Sequence, residues 1–345
     1  MKFLPLVFLT MVACALARGE SLPVPELKYA ELGDFKLESG AKIRDCRIAY
    51  HTLGTLNADK SNVVLWPTWF TGSSKQLIEL TGPDGYVDPA HFYVILVDSL
   101  GSGVSSSPSN SSSQPRMEFP AFTIRDMVNS QYKLLTENLG IKHIHAVMGI
   151  SMGGMQTFQW IVSYPDFMDK AVPIVGSPQL TAYDMLLWRS EASAIEEDKD
   201  WNGGNYTVEP RLDAVAEIHN LALTTPEYRV RETQENKISE FLDETDKDGL
   251  GRMDANDWLS QLKAMMSHNV AAPFNNSLED AAKKVKAKVM VVASKQDHMV
   301  NPTPAVAFAQ MINGTVLELS GDGGHLEPGF EKATAAPKVR DFLSN

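Results

Sequence analysis

Short apolar segments, each about the length of one strand, recur along this chain between glycine, proline, asparagine or aspartate residues. They occupy residues 62–66, 92–97, 145–148, 171–175, 289–292 and 315–319. Unbroken apolar runs of this length are typical of strands that are buried on both faces, as in a parallel sheet. Helical patterns lie between them, and this alternation predicts a doubly wound α/β sheet.

Two of those helical patterns are well defined. Thr123 and Asp126 have the spacing of an N-terminal capping box, and a mostly apolar face follows at helical spacing until Gly140. That face consists of Ile124, Met127, Val128, Gln131, Leu134, Leu135 and Asn138. A second helix is predicted over residues 151–164, because Pro165 disfavours its continuation.

Residues 183–280 interrupt the alternation, since they are charged, contain helical fragments and show no clear strand. We interpret them as a helical lid inserted into an α/β core that comprises residues 20–182 and 281–345. A second independent domain is the alternative, which the modest apolar content of the segment disfavours. The serine-rich residues 105–113 are predicted to form a polar surface loop.

Residues 1–19 are typical of a secretory signal peptide. Lys2 precedes an apolar run over residues 3–16, and small residues suit cleavage near Ala17. The run is shorter than the ~20 residues that a membrane-spanning helix needs, and no later stretch is long and apolar enough. We therefore predict a secreted protein without a membrane span.

Secretion bears on the cysteines and on possible glycosylation. Cys14 would leave with the signal peptide, so Cys46 would remain alone and no intrachain disulfide would form. Four Asn-X-Ser/Thr sequons are glycosylation candidates in a eukaryotic secretory route. They begin at Asn110, Asn205, Asn275 and Asn313.

The composition restricts the partners. The 345 residues, of which 43% are hydrophobic, suffice for a large core that carries an insertion. A net charge of −12 argues against binding to nucleic acid or anionic lipid, which both require basic surface. We find no metal-ligand cluster and no phosphate-binding loop, and we expect neither a metal nor a cofactor.

One acidic stretch, DETDKDG at residues 243–249, is similar to a calcium-binding loop. When Gly249 is placed at the sixth position of such a loop, Ala255 falls where a bidentate glutamate belongs. Gly251 also falls where such loops have an apolar residue. We therefore predict a solvated turn instead.

The pentapeptide GISMG at residues 149–153 has the G-x-S-x-G pattern of a nucleophile elbow. It directly follows the apolar run at 145–148 and begins the predicted helix, and this context makes the motif specific. A serine in such a tight turn stands at a helix N-terminus, where the helix dipole stabilises negative charge. The α/β-hydrolase fold is therefore predicted, with Ser151 as nucleophile; the alternative is a glycine-rich turn with an incidental serine.

A serine hydroxyl needs a general base, and the base needs an orienting acid. In this fold they follow in the order serine, acid, histidine. Asp297 comes after the apolar run at 289–292, and His325 lies in a glycine-rich loop after the run at 315–319. We assign these two residues as acid and base. Asp322 is the rival acid, disfavoured because it is so close in sequence to His325.

An oxyanion hole needs two backbone N–H donors. The residue after the nucleophile, Met152, supplies one of them. The turn after the first apolar run, within residues 69–72, supplies the other, and we choose Phe70.

The chain resembles the homoserine O-acetyltransferase family. The resemblance is carried by the segments LESGAKIRDCRIAYHTLGTLNADKSNVVL, FPAFTIRDMVNSQYKLLTENLGIKHIHAVMGISMGGMQTFQWIVSYPDFM, GRMDANDWLSQLKAMMSHNV and QDHMVNP. It implies the same fold and the same three catalytic residues. It also implies a lid that builds a homodimer and an arginine that binds a substrate carboxylate, whose place Arg252 occupies.

Departures from the family pattern concern the substrate. Leu326 stands where the family has an aspartate directly after the catalytic histidine, and Trp258 stands where the lid usually has a tyrosine. Leu326 is expected to border the pocket beside Ser151. Since acetyl-CoA is an intracellular donor, a secretory signal also favours hydrolysis over transfer.

These observations predict a secreted esterase that acts on a small-molecule ester through an acyl-enzyme. The alternatives are an acyl-CoA-dependent O-acyltransferase and a non-catalytic binding protein with the same fold.

Overall fold

An eight-stranded sheet forms the centre of the protein, in the order β1-β2-β4-β3-β5-β6-β7-β8. The structure is a computed structural model that describes residues 25–247 and 253–345. The strands are β1 Lys28–Lys36, β2 Lys42–Leu53, β3 Val63–Pro67, β4 Tyr93–Val97, β5 Ile144–Ile150, β6 Met168–Ile174, β7 Lys288–Ser294 and β8 Thr315–Leu319. β2 pairs antiparallel with both β1 and β4, and the remaining pairs, among β3 to β8, are parallel. The predicted α/β-hydrolase fold is confirmed.

Helices cover both faces of this sheet. They are α1 Ser74–Ile78, α2 Ile124–Lys133, α3 Met152–Ser163, α4 Ala182–Glu196, α5 Asp213–Leu223, α6 Pro226–Glu232, α7 Ile238–Lys247, α8 Ala255–Met266, α9 Leu278–Ala282, α10 Thr303–Met311, α11 Glu327–Phe330 and α12 Lys332–Ser344. Two apolar cores result, because successive strand residues point to opposite faces. Val63 and Leu65 of β3 lie in one core, and Val64 and Trp66 lie in the other. None of the described helices is long and apolar enough to cross a membrane.

The six apolar runs correspond to β3 through β8, whereas that criterion missed β1 and β2. β1 buries only Ala30, Leu32 and Phe35, with exposed and often charged residues between them. An antiparallel strand with one face toward the core alternates apolar and polar residues and therefore contains no continuous apolar run.

Helix α2 begins as predicted but ends differently. The Thr123 hydroxyl accepts a hydrogen bond from the Asp126 amide at 3.1 Å, and the Asp126 carboxylate accepts one from the Thr123 amide at 3.0 Å. After Lys133 a π-helical turn covers Leu134–Asn138. The wider turn rotates the residues that follow, so Asn138 is exposed and does not share the buried face.

The prediction of a surface loop over residues 105–113 was wrong for its first part. Ser105 and Ser106 are buried. Their hydroxyl oxygens accept hydrogen bonds from the Ala49 and Arg47 amides of β2, each at 2.9 Å. Serine is tolerated inside a protein when it satisfies a backbone group, and residue type alone does not distinguish this case from a surface serine.

The chain between β6 and β7 carries α4 to α9, which we call the inserted helices. Within its described part we find no strand, apart from an isolated bridge between Gln179 and Asn269. The prediction of a turn at residues 243–249 was wrong where the structure describes them, because α7 continues to Lys247. Glutamate and lysine favour helix, and Phe241 anchors α7 in the interior. Among the described residues, no acidic, histidine or cysteine cluster is arranged to hold a metal ion.

Cys46 lies in β2 and is buried and unpaired within the part of the chain that the structure describes. Burial raises the pKa of its thiol to about 12. The thiol therefore stays protonated near neutral pH and behaves as a small apolar side chain.

Asp98 follows β4 and is a buried carboxyl that anchors α1. Its two oxygens accept hydrogen bonds from the Ser74 amide at 2.7 Å and from the Ser74 hydroxyl at 2.5 Å. Burial raises the pKa of Asp98 from 3.8 to about 6, although the Ser74 hydrogen bonds oppose the shift. The folded protein therefore holds this proton more tightly than the unfolded chain does.

We expect Asp98→Asn to weaken the pH dependence of stability. The stabilisation from the bound proton is fully present below about pH 4 and is lost as the pH rises through about 6. Between about pH 4 and pH 8, the wild type should lose on the order of 2–3 kcal/mol more free energy of unfolding than the variant. Urea unfolding at both pH values measures this, and identical losses in the two proteins would contradict it.

Candidate active site

β5 and α3 meet at Ser151 in a turn that only certain residues permit. Ser151 has φ 58° and ψ −119°, a left-handed conformation that costs energy for any residue except glycine. Its amide donates to the Ile174 carbonyl of β6 at 2.9 Å. A Cβ on Gly149 would lie 2.3 Å from the Gly153 backbone, and one on Gly153 would lie 2.7 Å from the Pro67 carbonyl oxygen. The turn therefore requires glycine at both positions.

The structure brings together the three side chains that the sequence singled out. His325 Nε2 lies 2.8 Å from Ser151 Oγ, and His325 Nδ1 lies 2.7 Å from Asp297 Oδ2. All three residues are buried. Since an ionised carboxylate can only accept, Nδ1 carries the proton and Nε2 accepts from the serine hydroxyl. This arrangement allows the imidazole to take the serine proton.

The loop after β7 fixes the Asp297 carboxylate. Oδ1 accepts hydrogen bonds from the Met299 and Val300 amides, each at 2.9 Å, and this leaves Oδ2 for the imidazole. His325 lies in a short 3-10 turn, Gly324–Leu326, that follows β8. Both side chains thus come from loops at the carboxyl ends of neighbouring parallel strands.

The rival acid Asp322 faces elsewhere. Its carboxylate pairs with the Arg231 guanidinium near the surface. This partner holds the pKa of the Asp322 carboxyl below its ordinary value. The structure therefore places Asp297, and not Asp322, against the His325 ring.

The turn after β3 carries the second predicted oxyanion donor. The Thr71 amide donates to Gln261 Oε1 at 3.1 Å, and the Gly72 amide donates to the Trp69 carbonyl at 3.0 Å. Within the described ranges, the Phe70 amide has no acceptor, and neither has the amide of Met152 at the start of α3. Both predicted donors are therefore free to bind a substrate oxygen.

The inserted helices contact the loops that surround Ser151. From α4, Asp184 Oδ1 accepts a hydrogen bond from the Asn301 amide, in the loop after the acid, at 2.9 Å. At the start of α6, the Thr225 hydroxyl donates to the Asp322 carbonyl, just before the base, at 2.6 Å. α8 supplies a third contact through its hydrogen bond to the turn after β3. The insertion is thus joined to three loops of the site.

Of the two predicted substrate-binding residues, the structure describes Leu326 but not Arg252. Leu326 is half-buried, next to His325. Trp258, the departure from the family's tyrosine, is fully buried in α8. Arg252 lies outside the described residues. The roles of Leu326 and Arg252 in substrate binding stay predictions.

A buried polar pair in the insertion was not predicted from the sequence. Glu191 of α4 is fully buried, and its Oε1 lies 3.0 Å from His219 Nδ1 of α5. A signal was present, because Trp188, Glu191, Ala192 and Ile195 recur at the i, i+3, i+4, i+7 spacing of one buried helix face. A carboxylate on such a face needs a partner from another element, and the sequence does not name that partner.

A serine in a strained strand-to-helix turn that is hydrogen-bonded to a histidine, which is hydrogen-bonded in turn to an aspartate, defines the class of α/β-hydrolases. The chain belongs to this family, because the family model described as "alpha/beta hydrolase fold" matches residues 63–328.

Within the α/β-hydrolases, the chain is similar to esterases and to homoserine O-acetyltransferases. A probable esterase of Corynebacterium glutamicum is 32% identical over 313 residues, which cover 86% of this chain and 88% of the relative. A homoserine O-acetyltransferase of Methanosalsum zhilinae is 32% identical over 368 residues, covering 94% of this chain and 74% of the relative. The solved structure of the acetyl esterase MekB has a TM-score of 0.87 at 29% identity and covers 93% of this chain and 98% of its own. The predicted resemblance is confirmed, and the chain is an α/β-hydrolase of the esterase or acyltransferase class.

We expect Asp297→Asn to lower turnover by about 10⁴-fold, because an amide favours the wrong imidazole tautomer. Asp322→Asn is the matched control, because it changes a carboxylate that is close to His325 in sequence but does not contact the imidazole ring. Its turnover should stay near that of the wild type. Initial rates on a nitrophenyl ester measure both. A nearly silent Asp297→Asn together with an inactive Asp322→Asn would reverse the assignment.

Proposed function

We propose that this protein is a secreted esterase that hydrolyses small carboxylic esters through an acyl-enzyme, with Ser151, His325 and Asp297 as its catalytic triad. The hydrogen-bond chain from the serine hydroxyl through the imidazole to the carboxylate, with distances of 2.8 and 2.7 Å, carries the proposal. The similarity to a probable esterase and to an acetyl esterase supports it and favours a short acyl group.

Acylation follows from this geometry. Ser151 Oγ attacks the ester carbonyl while its proton passes to His325 Nε2, and Asp297 stabilises the imidazolium that results. The carbonyl oxygen becomes an oxyanion and accepts hydrogen bonds from the Met152 and Phe70 amides. The intermediate then breaks its bond to the alcohol oxygen, which takes the proton from His325 and leaves.

Deacylation repeats the sequence with water. His325 removes a proton from a water molecule whose oxygen attacks the acyl carbonyl on Ser151. The second oxyanion accepts hydrogen bonds from the same two backbone amides. When it collapses, the serine oxygen regains the proton from His325 and the carboxylic acid is released.

The second candidate is an acyltransferase, in which an alcohol replaces the water. The similarity to homoserine O-acetyltransferases favours it. Leu326 disfavours it for homoserine, because an ammonium group that loses its water beside an isobutyl side chain finds no carboxylate. An ester without a free amino group incurs no such cost and gains from apolar contact.

We expect Ser151→Ala to abolish ester hydrolysis, with a loss of about 10⁴-fold or more, while the thermal unfolding midpoint changes little. A fluorophosphonate probe should label the wild type and not the variant, which also separates an enzyme from a non-catalytic binding protein. Nitrophenyl acetate hydrolysis is the assay. A variant within tenfold of the wild type would remove Ser151 from this role.

The same wild-type protein should acetylate homoserine poorly when supplied with acetyl-CoA. Product analysis of hydrolysis and transfer in one reaction mixture measures the partition. Leu326→Asp, which restores the family's carboxylate, should impair ester hydrolysis. Efficient homoserine acetylation by the wild type would favour the transferase and contradict the proposed esterase.

Secretion is the second part of the proposal, and the residues that motivate it lie outside the described ranges. Of the sequon asparagines, Asn205, Asn275 and Asn313 are exposed. The Asn110 amide instead donates to two backbone carbonyls, so we expect glycans on the other three only. N-terminal sequencing of protein from the culture medium of a native host should find cleavage near Ala17.

We also propose that the inserted helices build a homodimer. Six of the ten large apolar side chains that are exposed in the described ranges belong to this segment: Tyr183, Leu186, Val208, Leu221, Val230 and Ile238. A two-fold interface would cover such side chains on both copies. Light scattering should give twice the chain mass for the wild type and for the control Met311→Asp, and the single chain mass for Leu186→Asp. A monomeric wild type would contradict this.

A further inference from the structure

The turn after β3 is strained, and a side chain from an inserted helix holds it. Thr71 has φ 64°, a left-handed value that is a genuine outlier for a β-branched residue. Such a backbone persists only where its surroundings enforce it. Gln261 of α8 is fully buried and accepts a hydrogen bond from the Thr71 amide at 3.1 Å. Its own amide donates to the Leu100 carbonyl at 3.0 Å, so it joins the turns that follow β3 and β4.

The neighbouring Phe70 ring lies against three aromatic side chains, all from the inserted helices. The ring centroid is 5.0 Å from that of Trp258, 5.8 Å from that of His219 and 6.2 Å from that of Trp188. We call these three residues the aromatic box. A close-packed ring transmits displacement, so a shift of the box moves the Phe70 backbone as well.

One buried carboxyl group connects two members of the box. Glu191 Oε1 lies 3.0 Å from His219 Nδ1, and Glu191 Oε2 accepts a hydrogen bond from Trp258 Nε1 at 3.2 Å. Burying a carboxyl group is costly unless it is hydrogen-bonded, and here both oxygens are. The steps of ester hydrolysis do not use Glu191. Its contacts instead fix the orientation of two rings that pack on Phe70.

We propose that Gln261 and Glu191 are positioning residues, which hold the Phe70–Thr71 turn so that the Phe70 amide points at the substrate oxyanion. The inference rests on the proposed function and deepens it, because it makes the insertion part of the catalytic apparatus. Gln261 acts on the backbone of the turn, and Glu191 acts through the aromatic box. An oxyanion donor stabilises the transition state more than the bound ester, so its displacement lowers kcat and leaves KM nearly unchanged.

Gln261→Met tests the first contact. Methionine has a similar length, but its thioether is only a weak acceptor for the Thr71 amide and has no donor for the Leu100 carbonyl. We expect kcat for nitrophenyl acetate to fall roughly 10- to 100-fold, with KM within about twofold of the wild type. The affinity for a trifluoromethyl ketone, whose serine adduct carries the same oxyanion, should fall by the same factor as kcat/KM.

The matched control is Gln159→Met. Gln159 is also buried, and its amide donates to the Ser163 hydroxyl within α3 at 2.7 Å, whereas the amide of Gln261 donates to the turn after β4. It should keep the wild-type kcat and the wild-type ketone affinity. A purely structural role for Gln261 predicts that both variants lose thermal stability and activity alike, which would overturn the inference.

Glu191 gives an independent test that does not depend on whether Gln261→Met folds. Glu191→Ala should lower kcat with KM nearly unchanged. Glu191→Gln keeps an oxygen for Trp258 and a polar partner for His219, so it should recover most of the activity. An alanine variant with wild-type kcat, or a glutamine variant as impaired as the alanine, would contradict a positioning role.

The outcomes separate this inference from the proposed function. If the wild type hydrolyses esters and Ser151→Ala does not, while Gln261→Met behaves like Gln159→Met, the inference fails and the esterase stands. If the wild type neither hydrolyses esters nor forms an acyl-enzyme at Ser151, both fail. A selective loss of kcat and of ketone affinity in Gln261→Met and Glu191→Ala supports both.

Discussion

The left-handed backbone of Ser151 is the constraint on which the site depends. The chain passes from β5 into α3 without any linker, so one residue must reverse its direction, and that residue carries the hydroxyl. The turn closes only because Gly149 and Gly153 leave room for backbone atoms that a Cβ would strike. The bond from the Ser151 amide to β6 holds it from the other side. The cost of the strained conformation is met by the packing of the central sheet.

The parallel sheet then determines which residues meet this serine. Carboxyl ends of parallel strands lie at one edge, so the loops after β3, β5, β7 and β8 gather there although the chain separates them widely. Asp297 and His325 come from the last two of these loops. The inserted helices bond to the loops after β3, β7 and β8, which makes the geometry at this edge a property of core and insertion together.

How far the sequence predicted this depends on whether an element has a local signature. β3 through β8 are buried on both faces and show as apolar runs, and the elbow shows as a glycine-spaced motif between a strand and a helix. β1 has only one face in the core, so it contains no continuous apolar run and was not predicted. Ser105 and Ser106 were predicted to be surface residues, because nothing in the sequence indicates that their hydroxyls accept hydrogen bonds from the amides of β2. Asn138 left its predicted face because a π-turn changed the helical period.

The sequence by itself determined the fold class and the three residues of the serine, histidine and aspartate group. The nucleophile motif, the order of the three residues along the chain and the apolar runs that precede them are all visible without the tertiary structure. Only the tertiary structure decided how the turn after β3 is held. Gln261 reaches Thr71 across 190 residues, and Glu191 reaches His219 across 28 residues, from a different helix. Such contacts have no periodic pattern in the chain. They arise from the packing of helices against loops, and each buried polar group finds its partner only after that packing exists.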